Sequence, residues 1–297
     1  MKICIHIGAH KTATTFISRR LRQNREALSA IGIQSCTPEE LRELTANVSP
    51  RRRLVRSTQK PALNMVLEKL VTDTRTAGSH RLAIQEENII GVMNEFGRPG
   101  WFYNSAKDNL KSLAPFLQTH TPKLLLSIRD YGTFFASVYG YTLRKDAYFP
   151  FQAWRQNLLD LRRGWVDLVC DIRACVPPET ELMLWEYEKF RDLDAEVMSA
   201  FVGSDALPAL EHVPLKALKG PSQEAIDHLD ALYRAGNVPD KAQIRQVMRD
   251  MPKGRGRRRF IPWTKEESTA LTLRYREDVE RLKESGIARF LKPGALH

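Results

Sequence analysis

The chain has 297 residues, 42% of them hydrophobic, enough to bury a core in one large α/β domain or two small ones. Lys plus Arg at 46 against Asp plus Glu at 35 leaves a net charge of +11, which favours anionic partners. The basic residues are scattered apart from two clusters and no nucleic-acid-binding module signature occurs, so nucleic acid is not the expected partner. The four cysteines (Cys4, Cys36, Cys170, Cys175) contain no C-x-x-C pair and read as reduced thiols. His6 and Lys11 interrupt the N-terminal apolar run, so neither a signal peptide nor a membrane span is expected, and the expected location is cytoplasmic.

Ile3, Cys4, Ile5 and Ile7 form a short apolar run that stops at Gly8, and a helical pattern starts near Thr14 with Phe16, Ile17 and Leu21. Strand, loop and helix N-terminus in that order aim several backbone N–H groups at one spot, where an anion such as a phosphate is expected. Against the nucleotide loop G-x-x-x-x-G-K-[ST] laid from Gly8, the second glycine falls on Ala13, the lysine position on Thr14 and the hydroxyl on Thr15. The length fits but the lysine does not: Lys11 lies inside the loop, three residues early, which argues against an ATPase.

The first helix is predicted over Thr14 to Ile31, stopped by Gly32, with Arg19, Arg20, Arg22 and Arg25 on its outer face. Ile33 to Cys36 reads as a strand, and Thr37 with Pro38 as the cap of a helix from Glu39 to Ala46. Asn47 to Thr58, with Arg51, Arg52, Arg53 and Arg56, reads as an exposed connector. Pro61 to Ala77 is an amphipathic helix, and Arg81 to Gln85 has the apolar character of a buried parallel strand. That strand runs into Glu86, Glu87 and Asn88, two carboxylates where open α/β sheets place ligands; a solvated loop pair accounts for them equally well on position alone.

Trp101 to Tyr103 is a loop, read either as a wall of an acceptor pocket or as a core plug, and Ser105 to Leu117 is a helix. Lys123 to Ile128 is a strongly apolar strand running into Arg129, whose charge at a buried strand end needs a partner; Ser137 follows eight residues later on a helix. One or two helices lie between Phe151 and Val176, and Glu181 to Trp185 is a further strand. Beyond Leu193 the chain is helical with proline breaks. Lys253 to Arg259 holds five cations in seven residues, and Thr264 with Glu267 caps a final helix to Glu284.

His6-Ile7-Gly8-Ala9-His10-Lys11-Thr12-Ala13-Thr14-Thr15 resembles the phosphosulfate-binding loop of the sulfotransferase superfamily, in the H-I-G-x-H-K-T-[GA]-T-T form of bacterial sulfotransferase-like proteins. Gln85-Glu86-Glu87-Asn88-Ile89-Ile90-Gly91 resembles their S-[DE]-E-N segment, and Arg129 with Ser137 and Tyr139 their R-x-P-x-x-x-x-x-S-x-Y pattern, with Tyr131 in place of the proline. The segment around Glu188 resembles a stretch that shapes the fold, and Lys253-Gly254-Arg255 resembles the nucleotide-covering loop of carbohydrate sulfotransferases.

The resemblance implies one domain over 1–297 with a P-loop-NTPase-like, three-layer α/β fold. Its nucleotide-binding core would span 1–190 around a parallel sheet of four to five strands, with a helical part over 191–297. It implies sulfuryl transfer from 3′-phosphoadenosine 5′-phosphosulfate to a hydroxyl or amine of a small-molecule or carbohydrate acceptor, without a metal. Gly8, Ala9, His10, Lys11, Thr12, Ala13, Thr14 and Thr15 would hold the donor, with Lys11 neutralising charge on the leaving phosphate. Glu87 is the expected general base and Glu86 its nearest rival, with His6 and His10 ranked below. Arg129 and Ser137 would hold the 3′-phosphate, joined by Lys253 and Arg255. The Arg51 to Arg56 cluster hints at an anionic acceptor, although a solvated face explains it equally well. The alternatives are a nucleotide kinase or NTPase, and a non-catalytic nucleotide- or anion-binding protein.

Overall fold

The computed structural model describes residues 1–48, 59–145, 147–211, 213–214, 220–254 and 256–294. The arginine cluster at 51–56 and Arg255 lie outside the described residues. Among those described, the strands are β1 (Lys2–His6), β2 (Ile33–Cys36), β3 (Arg81–Gln85), β4 (Lys123–Ile128), β5 (Leu182–Glu186) and β6 (Arg289–Phe290). They form one parallel sheet in the order β2-β3-β1-β4-β5-β6. The sheet therefore has six strands rather than four to five. The addition is β6, which pairs Arg289 and Phe290 with Met183 and Leu184 of β5 and is too short to carry any alternating pattern.

Successive side chains of a strand face opposite sides of the sheet, and both sides here are covered. Ile3, Ile5, Ile7, Ile84, Leu124 and Leu126 enter one core, shared with helices Gln59–Thr76, Tyr131–Thr142, Trp165–Arg173 and Lys265–Ser285. Cys4, Ala83, Leu125, Met183 and Trp185 enter the other, shared with helices Thr14–Gln23 and Asp194–Val202. No helix among the described residues is long and apolar enough to cross a membrane.

The chain leaves β1 for the edge strand β2, returns to β3 beside β1, then crosses to β4 on the other flank of β1. The helix that follows β1 packs on the opposite face from the helix that follows β4. Such a reversal opens a crevice beyond the carboxyl ends of the strands, the usual ligand position in open α/β sheets. The ends concerned carry Gly8, Glu86 and Arg129.

Several elements differ from expectation. The helix predicted over Thr14 to Ile31 is two, Thr14–Gln23 and Arg25–Ala30, broken at Asn24. There the Asn24 amide donates to the Arg20 carbonyl at 2.9 Å, and its Oδ1 accepts from the Glu211 N–H at 2.6 Å. Arg20 is not on the outer face; it is buried and paired with Asp194. Ser105 to Leu117 is also two helices, Ala106–Ser112 and Ala114–His120. In the Trp101 to Tyr103 loop, Phe102 and Tyr103 are core residues, Phe102 at 4.8 Å between centroids from Trp165.

Candidate active site

The loop after β1 starts as an extension of the sheet. The Ala9 N–H donates to the Ser127 carbonyl at 3.0 Å and the Ser127 N–H to the Gly8 carbonyl at 2.6 Å. Gly8 has φ +110°, and a Cβ there would meet the Glu87 Cβ at 3.1 Å, so only glycine lets β3's trailing segment approach the loop this closely. The His10 N–H goes to the Tyr103 hydroxyl at 3.1 Å. Ala9 and His10 therefore commit their N–H groups to the protein and shape the loop from beneath.

From Lys11 onward the loop opens. Lys11 and Ala13 both adopt positive φ, 61° and 67°. Among the described residues, the N–H groups of Lys11, Thr12 and Ala13 have no protein acceptor. Those of Thr14 and Thr15 begin the helix, where no intrahelical acceptor exists. The Thr12 hydroxyl closes the turn on the Ala9 carbonyl at 2.5 Å, while the hydroxyls of Thr14 and Thr15 make no hydrogen bond among the described residues. Gln85, at the end of β3, anchors the helix start by donating to the Thr14 carbonyl at 2.8 Å. The result is a run of outward N–H groups at a helix N-terminus, which suits an anion.

Cations gather around this loop. Lys11 Nζ lies 5.2 Å from the Tyr141 ring centroid, and burial, then Arg144 and Arg129, push its ammonium down to about 8 from 10.5, against the pull of Glu87. Arg129 is 8% exposed; it donates from Nη1 to the Lys11 carbonyl at 2.6 Å and from Nε to the Thr133 hydroxyl at 2.9 Å, and stacks 4.4 Å over Tyr187. Burial and then Arg259 and Arg129 lower Lys253. Among the described residues, Lys11, Arg129, Lys253 and Arg259 form no salt bridge with a carboxylate. The half-buried Ser137 hydroxyl makes no hydrogen bond there either. Two other residues of the second basic cluster behave differently: Arg258 pairs with Glu224 at 3.2 Å, and Arg257 donates to the Asp250 carbonyl at 2.9 Å.

The two adjacent carboxylates are not equivalent. Glu86 is buried, receives Arg42 through Nε at 2.9 Å and Nη2 at 2.6 Å, and accepts the Asn88 N–H at 2.9 Å. Glu87 meets Arg42 Nη2 only at 3.4 Å through Oε1, and its buried Oε2 has no partner among the described residues. Glu86 is thus held at both oxygens, and Glu87 is the one with an unpartnered oxygen among the described residues.

The histidines are both internal. His6 stacks on Trp185 at 5.3 Å, and burial pushes it down to about 3, so it stays neutral beneath the loop. His10 lies between the Tyr103 hydroxyl at 3.0 Å and the Asn88 side chain at 3.2 Å, and burial lowers its pKa also. Tyr131 donates to Asp278 at 2.5 Å and accepts the Trp165 N–H at 2.7 Å, tying three helices together. Glu188 holds the segment after β4 by accepting from the Asp130 N–H and the Tyr275 hydroxyl, each at 3.1 Å.

Arg42, Arg144 and Arg259 were not among the sequence-predicted site residues. Ser137, Tyr141 and Arg144 recur at the spacing of one helix face, a signal visible in the sequence. Arg42 and Arg259 carry no comparable pattern. Comparison with known proteins returned no matching family model, no similar curated protein and no similar solved structure, so the functional reading rests on the chain's own residues.

Proposed function

We propose that the protein is a sulfotransferase that uses 3′-phosphoadenosine 5′-phosphosulfate. The observation that carries this reading is the group of cations Lys11, Arg129, Lys253 and Arg259, electrostatically linked around a helix N-terminus with no carboxylate salt bridge among the described residues. Cations without a carboxylate in salt-bridge contact around a crevice suit an anion of high charge, and a 3′,5′-bisphosphate offers one group to the loop and one to Arg129, Ser137 and Lys253. The strand order and the loop after β1 further support a P-loop-type architecture, in which the lysine inside the loop replaces the usual one after it.

When bound, the donor supplies an activated sulfuryl group on a phosphate leaving group. Lys11, with the N–H groups from Lys11 to Thr15 and the hydroxyls of Thr14 and Thr15, neutralises charge gathering on the leaving oxygen. Glu87 accepts the proton of the acceptor hydroxyl or amine at Oε2. Arg129 fixes the loop from its carbonyl side and, with Ser137 and Lys253, holds the distal phosphate. The acceptor is a hydroxyl- or amine-bearing small molecule or carbohydrate.

Calorimetry with 3′-phosphoadenosine 5′-phosphate, run beside magnesium ATP, tests the reading. Tight binding of the bisphosphate, weakened but still measurable in Lys11→Ala, is expected; preference for magnesium ATP, or binding of neither, overturns it.

A further inference from the structure

We propose that Arg42, on helix Pro38–Val48, is the positioning residue of the catalytic base: it fixes Glu87 through Oε1 and leaves Oε2 as the proton acceptor. The proposal rests on the reading of Glu87 as base.

Glu86 is 4% exposed, and both of its carboxylate oxygens face Arg42 in a two-pronged contact, Nε to Oε2 and Nη2 to Oε1. A guanidinium is planar, so these two bonds settle its orientation and not merely its position. The Asn88 N–H also bonds Glu86 Oε1, which pins the fork to the end of β3. Nη2, held this way, lies 3.4 Å from Glu87 Oε1. One cation therefore meets two neighbouring carboxylates, and it meets only one oxygen of the second. The other oxygen of Glu87, buried and without a partner among the described residues, is the one free to take a proton.

The same guanidinium reaches the phosphate loop. With the Asn88 amide turned so that its nitrogen donates to His10 Nε2 at 3.2 Å, its oxygen accepts from Arg42 Nη2 at 3.2 Å and Nε at 3.3 Å. His10 in turn meets the Tyr103 hydroxyl at 3.0 Å. Base and loop are thereby set relative to each other through Arg42, Asn88 and His10. The charged and titratable groups that face Glu87 are Arg42, Glu86, Lys11, His10 and Tyr103. Arg42 is the only one of these in ion-pair contact with it among the described residues.

A purely structural Arg42 would serve Glu86 alone, so once position 86 is neutral, removing Arg42 would leave Glu87 as it was. The experiment exploits this difference. Modification of Glu87 by a water-soluble carbodiimide, which attacks protonated carboxyls, is followed against pH by mass spectrometry in wild type, Arg42→Lys, Arg42→Gln, Glu86→Gln and the double variant Arg42→Gln with Glu86→Gln. The double variant has no uncompensated buried carboxylate at position 86, which protects its fold, and Glu86→Gln is its reference because the Glu86 charge also acts on Glu87. The midpoint of modification is expected to move upward by about one pH unit in Arg42→Gln relative to wild type and in the double variant relative to Glu86→Gln, with most of the shift restored by Arg42→Lys. A double variant that labels like Glu86→Gln overturns the proposal. Calorimetry with 3′-phosphoadenosine 5′-phosphate on the same proteins separates the two readings. Retained binding alongside the shift supports the positioning role, whereas a wild type that does not bind removes the catalytic reading and the proposal with it.

Discussion

Arg129 and Lys11 are joined through the backbone: Arg129 Nη1 donates to the Lys11 carbonyl oxygen at 2.6 Å. The end of β4 thereby sets the conformation of the loop after β1 at the residue whose ammonium faces the crevice. Two cations held this close oppose each other, and the contact persists because it runs to the carbonyl and leaves the ammonium separate. The same guanidinium fixes the loop and, in the proposed mechanism, meets the distal phosphate.

Arg129→Lys keeps the charge but cannot reach the Lys11 carbonyl, the Thr133 hydroxyl and an anion together. Losing a hydrogen bond from a charged group costs about 1.5–3 kcal/mol, so bisphosphate affinity is expected to fall by about tenfold or more. Calorimetry measures this directly. Unchanged affinity would restrict Arg129 to a structural role.

Lys11 carries a pH signature. Burial, Arg144 and Arg129 push its ammonium down to about 8 from 10.5. Between those values the folded chain has released a proton that the unfolded chain still holds, so the contribution of Lys11 to stability increases with pH across that window, and its full penalty is present below it. A bound phosphate reverses the bias by favouring the protonated form. Binding of 3′-phosphoadenosine 5′-phosphate at about pH 9 is therefore expected to take up close to one proton, and Lys11→Met to abolish most of that uptake. Calorimetry in two buffers of different ionisation enthalpy reads it, and equal uptake by wild type and variant would exclude Lys11 as the source.

The described residues of the second basic cluster fall into two sets by their surroundings. Lys253 and Arg259 act on Arg129 and on each other, whereas Arg258 is turned to Glu224 and Asp227 on helix Gln223–Arg234. Lys253→Ala and Arg259→Ala are expected to weaken bisphosphate binding by about threefold to tenfold, with the deficit shrinking at high salt. Arg258→Ala is expected to leave affinity unchanged. Titrations at low and high salt test this partition, and equal losses from all three variants would show only the field of a diffuse basic surface.

Legibility followed the range of each interaction along the chain. The loop from Gly8 to Thr15, the strand ends at Glu86, Glu87 and Arg129, and the capping box of Thr264 with Glu267 are local patterns and could be read directly. The difference in environment between Glu86 and Glu87 could not, because the cation that creates it is Arg42, 44 positions from Glu86 and on a different element. Arg20 resembled its exposed neighbours until Asp194, from the helix after β5, came to meet it. The break at Asn24 needed Glu211, and β6 needed only an edge of β5, so neither left a periodic trace. The commitment of the Ala9 and His10 N–H groups likewise depends on Ser127 and Tyr103.

Ala13 offers a test of the loop that is independent of catalysis. It caps helix Thr14–Gln23 in the left-handed region, at φ 67°, ψ 13°, where its carbonyl accepts from the Phe16 and Ile17 N–H groups at 2.8 and 3.1 Å. An L-residue with a Cβ pays roughly 1–2 kcal/mol for that conformation, while glycine there loses about 0.4–1 kcal/mol through its freer unfolded chain. The first effect exceeds the second, so Ala13→Gly is expected to stabilise the protein by about 0.5–1 kcal/mol, a rise of about 1–3 °C in Tm. The carbonyl contacts do not involve the methyl group, so bisphosphate affinity is expected to stay within about twofold of wild type. Thermal unfolding with and without the bisphosphate measures both quantities. A lower Tm would mean that the half-buried Ala13 methyl, packed against the core of Phe16 and Ile17, outweighs the backbone effect.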